Sequence, residues 1–179
     1  MKRLLLPLIL FLLTVLEGVA LDLLPTSIVT GSLFIIPHWV FILLFFIAIF
    51  YDRENTGYAI LYAIIFGLLI DLVYTGVLGI YMFTYAFVIY LVHEIRKLVL
   101  NNFYVTVILG IFGMILVDIG IYLIYSVIGI AHLMWTDYLL YRLLPTVTAN
   151  IAFLLILYPF ARKVLLKWSK EQLQDHNAF

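Results

Sequence analysis

Phe66 to Phe83 read FGLLIDLVYTGVLGIYMF, an apolar run that holds one aspartate, Asp71, among three glycines, Gly67, Gly76 and Gly79. A carboxylate in such surroundings is expensive, and it faces a bundle interior, a cavity or a partner rather than lipid. Gly67 removes a side chain where a second helix can come close, and Gly76 and Gly79 give the backbone freedom for a tight turn. The stretch therefore reads as the end of one helix, a turn, and the start of the next. What surrounds those helices is decided by the rest of the chain.

Of the 179 residues, 66% are hydrophobic and 11% charged, whereas a soluble domain is about 45–50% apolar and about 25% charged. A domain of this size leaves most residues within reach of water, so the excess points to lipid. A span takes about 20 mostly apolar residues. Six segments qualify: Leu4–Leu24, Ser32–Tyr51, Gly57–Tyr74, Gly79–Val92, Phe103–Ile130 and Tyr138–Phe160. The fourth is short for a span and the fifth is long enough to tilt. Pro25 and Pro37 bracket the first turn, Asp52-Arg53-Glu54-Asn55 fills the second, and Gly76 with Gly79 makes the third. No segment alternates with the period of a lipid-facing β-barrel strand, which is about 10 residues long. The expected fold is all-α and polytopic, with a six-helix transmembrane domain over residues 1–160 and a short cytoplasmic tail over 161–179.

Basic residues set the orientation. With both termini cytoplasmic, Lys2, Arg3, Arg53, Arg96, Lys97, Arg162, Lys163, Lys167 and Lys170 lie inside and Arg142 alone lies outside. The opposite topology would reverse that bias, against the positive-inside rule. The first segment also has the basic start and small pair, Gly18 and Ala20, of a signal peptide. Its apolar region is too long and Glu17 sits where cleavage wants neutral residues, so it is expected to stay. The tail has two readings, an inner-surface anchor with Trp168 and lysines at the headgroups, or a docking site for a cytoplasmic partner. Zero net charge gives no basic bulk for nucleic acid, and the absence of cysteine excludes disulfides and thiolate metal sites.

Counted from the inner ends at about 1.5 Å per residue, Glu17, Asp71 and Asp118 reach a similar height, about 20 Å. Arg142 enters the same level from the outer end of the sixth span, and Asn150 lies deeper. Glu17, Asp71, Asp118 and Arg142 are thus expected to form one buried polar layer, with Asp71 the preferred partner of Arg142 and Asp118 the next candidate. That layer has a functional reading as a relay, coupling site or ligand pocket, and a structural reading in which the acids fix helix register. His38, His93, His132 and His176 are scattered without metal-ligand spacing. His93-Glu94 reads as a cluster in a cytoplasmic loop with Arg96 and Lys97. There is no G-x-S-x-G, P-loop or intramembrane His/Glu pair one turn apart. No catalytic, cofactor or metal site is expected.

Gly67-Leu68-Leu69-Ile70-Asp71, with Gly76, Leu78, Gly79 and Ile80 behind it, resembles the central signature of the rod shape-determining MreD family, a G-x-L-x-D core followed by a glycine-containing turn. Length, span number, the charged loop ahead of the motif and the basic tail fit the same family. The resemblance implies a non-enzymatic bacterial inner-membrane scaffold of the cell-elongation machinery that directs lateral peptidoglycan synthesis. It implies an MreC-like bitopic partner, an MreB-like filament and peptidoglycan synthases, and it leaves room for a homo-oligomer. It also implies a six-helix fold similar to the substrate-binding S subunits of energy-coupling-factor vitamin transporters. Such an S subunit is the alternative function, although Gly18 and Ala20 do not have the A-x-x-x-A spacing of its docking helix. Thr26-Ser27 and Trp135-Thr136-Asp137 offer little for a vitamin pocket.

Overall fold

Gly76 and Gly79 adopt φ of 68° and 99°, a left-handed region that L side chains rarely enter, and around them one helix reverses into the next. The computed structural model describes residues 5–23, 34–53, 56–97 and 102–176, and the regular structure within them is helical. Helix α1 is Leu5–Leu23. Helix α2 is Trp39–Phe46, carried on by a π-turn at Ile47–Tyr51. Helix α3 is Tyr58–Ile70 and ends in a second π-turn, Asp71–Thr75. Helices α4 and α5 are Ile80–Arg96 and Phe103–Val127. Helix α6 opens at Trp135–Tyr138, passes a third π-turn at Leu139–Leu143 and continues as Leu144–His176 with Pro159 inside it.

Apolar runs become helices in lipid because no water is there to take up an unpaired peptide group. Among the described residues three helices are long and apolar enough to cross a membrane: Tyr58–Thr75, Phe103–Val127 and Trp135–Glu171. Leu5–Ala20 and Trp39–Tyr51 are shorter apolar helices. Every residue of α2 from Val40 to Tyr51 is buried, the mark of a helix apolar all round and enclosed by others. It contacts α1, α3, α4, α5 and α6, so it forms the centre of the bundle. The tightest pair is the hairpin of α3 and α4. A Cβ on Gly67 would lie 2.6 Å from Met82 Cα and 2.8 Å from Met82 N; only glycine lets the two backbones come this close.

Helix α2 begins at Trp39, inside the expected second segment. Residues 34–38 carry no helix, since Pro37 has no N–H to donate and its ring pushes Ile36 out of the α region. His93 and Glu94 are not in a loop. Both belong to α4, with His93 buried and Glu94 half-buried, paired with Lys97 at 2.7 Å. Lys2, Arg3, Pro25, Thr26, Ser27, Ser32, Glu54 and Asn55 lie outside the described residues.

The end of the bundle opposite the glycine turn is tied by a second set of polar contacts. Asp52 accepts the Tyr58 and Ala59 N–H groups at 3.1 and 2.9 Å and so caps α3. Arg96 donates to the carbonyls of Ala48, Ile49 and Asp52, which the π-turn of α2 leaves open. Arg53 Nη2 reaches the Ser169 carbonyl at 3.0 Å, and Ser169 Oγ returns to the Tyr51 carbonyl at 3.2 Å. Burial pushes the Asp52 carboxyl up to about 6, against the Ala59 and Tyr58 N–H groups and the Arg96 guanidinium. The folded protein therefore holds this proton more tightly than the unfolded chain, whose value is 3.8. Stability is greatest below the unfolded value, falls as pH rises toward 6, and is level above it. That fall is of order 2–3 kcal/mol. Thermal unfolding in detergent between pH 4 and 8 should show the slope, and Asp52→Asn should flatten it; an unchanged slope in the variant would assign it to other groups.

Candidate functional site

The residues before α2 put peptide groups inside the protein without helical partners, and non-helical backbone at that depth survives only where protein satisfies it. Helix α6 does so. Phe34 N donates to the Tyr141 carbonyl at 2.8 Å. Thr146 Oγ1 accepts the Ile36 N–H at 3.1 Å and donates to the Phe34 carbonyl at 3.2 Å. Asn150 Oδ1 accepts the His38 N–H at 2.8 Å, and its Nδ2 donates to the Ile36 carbonyl at 2.8 Å. The next N–H, of Trp39, goes to Glu17 Oε1 of α1 at 3.1 Å. Asn150 thus binds the extended chain on both of its polar edges, and Glu17 completes the start of α2.

Asp71 does for α4 what Glu17 does for α2. Its side chain is fully buried. Oδ2 accepts the Gly79 and Met82 N–H groups at 2.9 and 3.1 Å, and Oδ1 accepts that of Tyr81 at 2.9 Å. The first N–H groups of a helix have no partner inside it, and a carboxylate there also meets the positive end of the helix dipole. The sequence motif is therefore one device. Gly67 admits the backbone of α4, Asp71 captures its leading N–H groups, and Gly76 and Gly79 make the reversal that brings them within reach. Tyr74, in the same π-turn, donates to the Thr14 carbonyl of α1 at 2.9 Å and packs on Gly18.

Asp118 on α5 stands in different company. Tyr138 Oη donates to Oδ2 at 2.6 Å, while Arg142 Nη2 and His38 Nε2 each lie 3.5 Å from Oδ1. His38 Nδ1 pairs with Tyr85 Oη at 3.1 Å. The Arg142 guanidinium also sits 5.9 Å from the centre of the Tyr138 ring. This cluster joins α2, α4, α5 and α6 through side chains alone. Arg142 is thus found with Asp118, and Asp71 is not its partner, because three backbone donors already occupy both Asp71 oxygens. Of Glu17, Asp71, Asp118 and Arg142, only the last two are in direct contact. Reading the sequence missed His38, Tyr85 and Tyr138. The signal for Tyr138 was present, since it lies four residues before Arg142 and shares its helix face. His38 carries no such signal, because its neighbours come from three other helices.

A cavity of about 220 Å³ opens between α1, the extended segment and the α3 turn, lined by Glu17, Ile36, Pro37, Ile70, Tyr74 and Tyr81 among others. Among the described residues no cluster of His, Cys, Asp and Glu has the arrangement of a metal site.

The family described as rod shape-determining protein MreD matches residues 2–168. The rod shape-determining protein MreD of Bacillus subtilis (strain 168) is 31% identical over 176 residues, which is 98% of this chain and 99% of that protein. No solved structure matches the chain.

Proposed function

Because the chain belongs to the rod shape-determining protein MreD family, we propose that it works as a non-enzymatic scaffold of the cell-elongation machinery, holding an MreC-like bitopic protein in the membrane. Family membership makes it a rod shape-determining membrane protein. The scaffold reading adds six spans with both termini cytoplasmic, and a chain of contacts from MreC-like partner to MreB-like filament and peptidoglycan synthases. The observation that carries it is the match along nearly the whole chain, with a family motif whose residues close a rigid hairpin. Both carboxylate oxygens of Asp71 are spent on backbone N–H groups of the chain, which suits a protein that must present a fixed surface to another helix. In the same reading Glu17, Asp71, Asp118 and Arg142 form a polar layer that sets helix register, and nothing in the comparisons favours a vitamin-transporter subunit.

Depletion from a rod-shaped host tests the role in shape, and co-purification from the same membranes tests the partnership. Depleted cells should round up with wall synthesis no longer directed along the side wall, and the tagged protein should bring down a bitopic membrane protein at fixed ratio. Rounding without any such partner would leave shape determination standing and overturn the scaffold reading.

A further inference from the structure

Glu17, Asp71 and Asp118 lie on three helices, and their carboxylates are used unequally. Asp71 has three N–H donors, and Asp118 has the Tyr138 hydroxyl and the Arg142 guanidinium, with His38 alongside. Glu17 spends Oε1 on the Trp39 N–H, while Oε2 is buried without a hydrogen-bond partner. The residue is 6% exposed, and it lines the cavity of about 220 Å³. Among the described residues no lysine or arginine lines that cavity. A buried carboxylate without a counter-ion costs several kcal/mol, and a charge-assisted hydrogen bond is what relieves it.

The cavity itself selects among cations. One water needs only about 10–15 Å³ of such space, so the volume holds a group of several heavy atoms. It falls below the roughly 300–1,000 Å³ of sites that enclose a whole drug-sized ligand. Ile36, Pro37 and Ile70 offer an apolar wall, and Tyr74 and Tyr81 offer ring faces and edges, surroundings that favour an ammonium on a short apolar stem over a hydrated metal ion. We propose that this cavity binds a primary ammonium group, with Glu17 Oε2 as its counter-ion and the Tyr74 and Tyr81 rings beside it. The ammonium of an ethanolamine lipid headgroup and that of a free alkylamine share this chemistry. The site stands apart from the scaffold reading, which does not need it.

The test uses the full chain in phosphatidylglycerol nanodiscs, titrated with n-pentylammonium and with its neutral counterpart 1-pentanol, following tyrosine fluorescence and the thermal midpoint. Pentylammonium should saturate at least tenfold below pentanol, and Glu17→Gln should remove that preference. Tyr81→Leu, which leaves the carboxylate in place, should weaken it several-fold. Adding phosphatidylethanolamine to the nanodiscs separates the two sources. A weaker apparent affinity for pentylammonium would identify the lipid headgroup as occupant, and an unchanged one would identify a free amine. Equal binding of amine and alcohol by the unaltered protein would overturn the proposal whether or not the variants fold. So would a preference that persists in Glu17→Gln, which would belong to the anionic lipid.

Discussion

Asp71→Ala should lower the stability of the protein in detergent by about 3–6 kcal/mol and abolish its ability to restore rod shape to a depleted host. The figure follows from the three N–H groups of Gly79, Tyr81 and Met82 that lose their acceptor together. Each buried polar group left unpaired costs about 1–3 kcal/mol, and the part-exposure of these three donors keeps the sum in the lower part of that range. Asp71→Asn keeps one oxygen and should lose about half as much. Gly67→Val attacks the same junction from the other side. With a Cβ 2.6 Å from Met82 Cα, the helices must part, and overpacking of this kind costs about 1–3 kcal/mol. Because separation of the helices also draws the α4 N–H groups away from Asp71, the pair Gly67→Val and Asp71→Ala should be less damaging together than the sum of the two. A stability for Asp71→Ala within about 1 kcal/mol of the unaltered protein would mean that the cap is not what holds the hairpin.

How far the fold could be read in advance varies from place to place. The hairpin at Gly67–Ile80 was visible because its causes are local: a carboxylate, a close-approach glycine and two left-handed glycines lie within one short stretch. The apolar runs of α3, α5 and α6 were visible for the same reason, since length and hydropathy belong to each segment alone. The start of α2 was not. Ile36 and His38 lack helical partners, and the groups that satisfy them, Thr146 and Asn150, lie 110 and 112 residues away. A sequence shows Pro37 but not what will accept the chain it breaks. The acids show the same division. Glu17, Asp52 and Asp71 all cap the start of a helix that follows them in the chain, a role that spacing could suggest for Asp71 because α4 begins close behind it. Glu17 caps a helix that starts 22 residues later, and a shared height in the membrane was too coarse a measure to tell that role from an ion pair.

The partner of Arg142 is where height misled most, and there a double-mutant cycle gives the clearest result. Asp118→Leu should cost about 3–5 kcal/mol, because it leaves the Arg142 guanidinium and the Tyr138 hydroxyl without the acid they both approach. Arg142→Leu should cost less. Its guanidinium is partly exposed, at 17% of the side chain, and it stands 3.5 Å from Asp118 Oδ1, while Tyr138 and His38 remain to hold the carboxylate after it has gone. Removing both leaves neither charge stranded, so the double variant should be more stable than the two single losses predict, with a coupling of about 0.5–3 kcal/mol. Asp71→Asn combined with Arg142→Leu should instead add to within about 0.5 kcal/mol, as separate sites do. Thermal unfolding of the five proteins measures both couplings against the same reference. Coupling at Asp71 in place of Asp118 would show that the layer is wired through α3. Coupling at Asp118 alone ties α5 to α6 through one ion pair and leaves Asp71 to the hairpin, two independent locks on one end of the bundle.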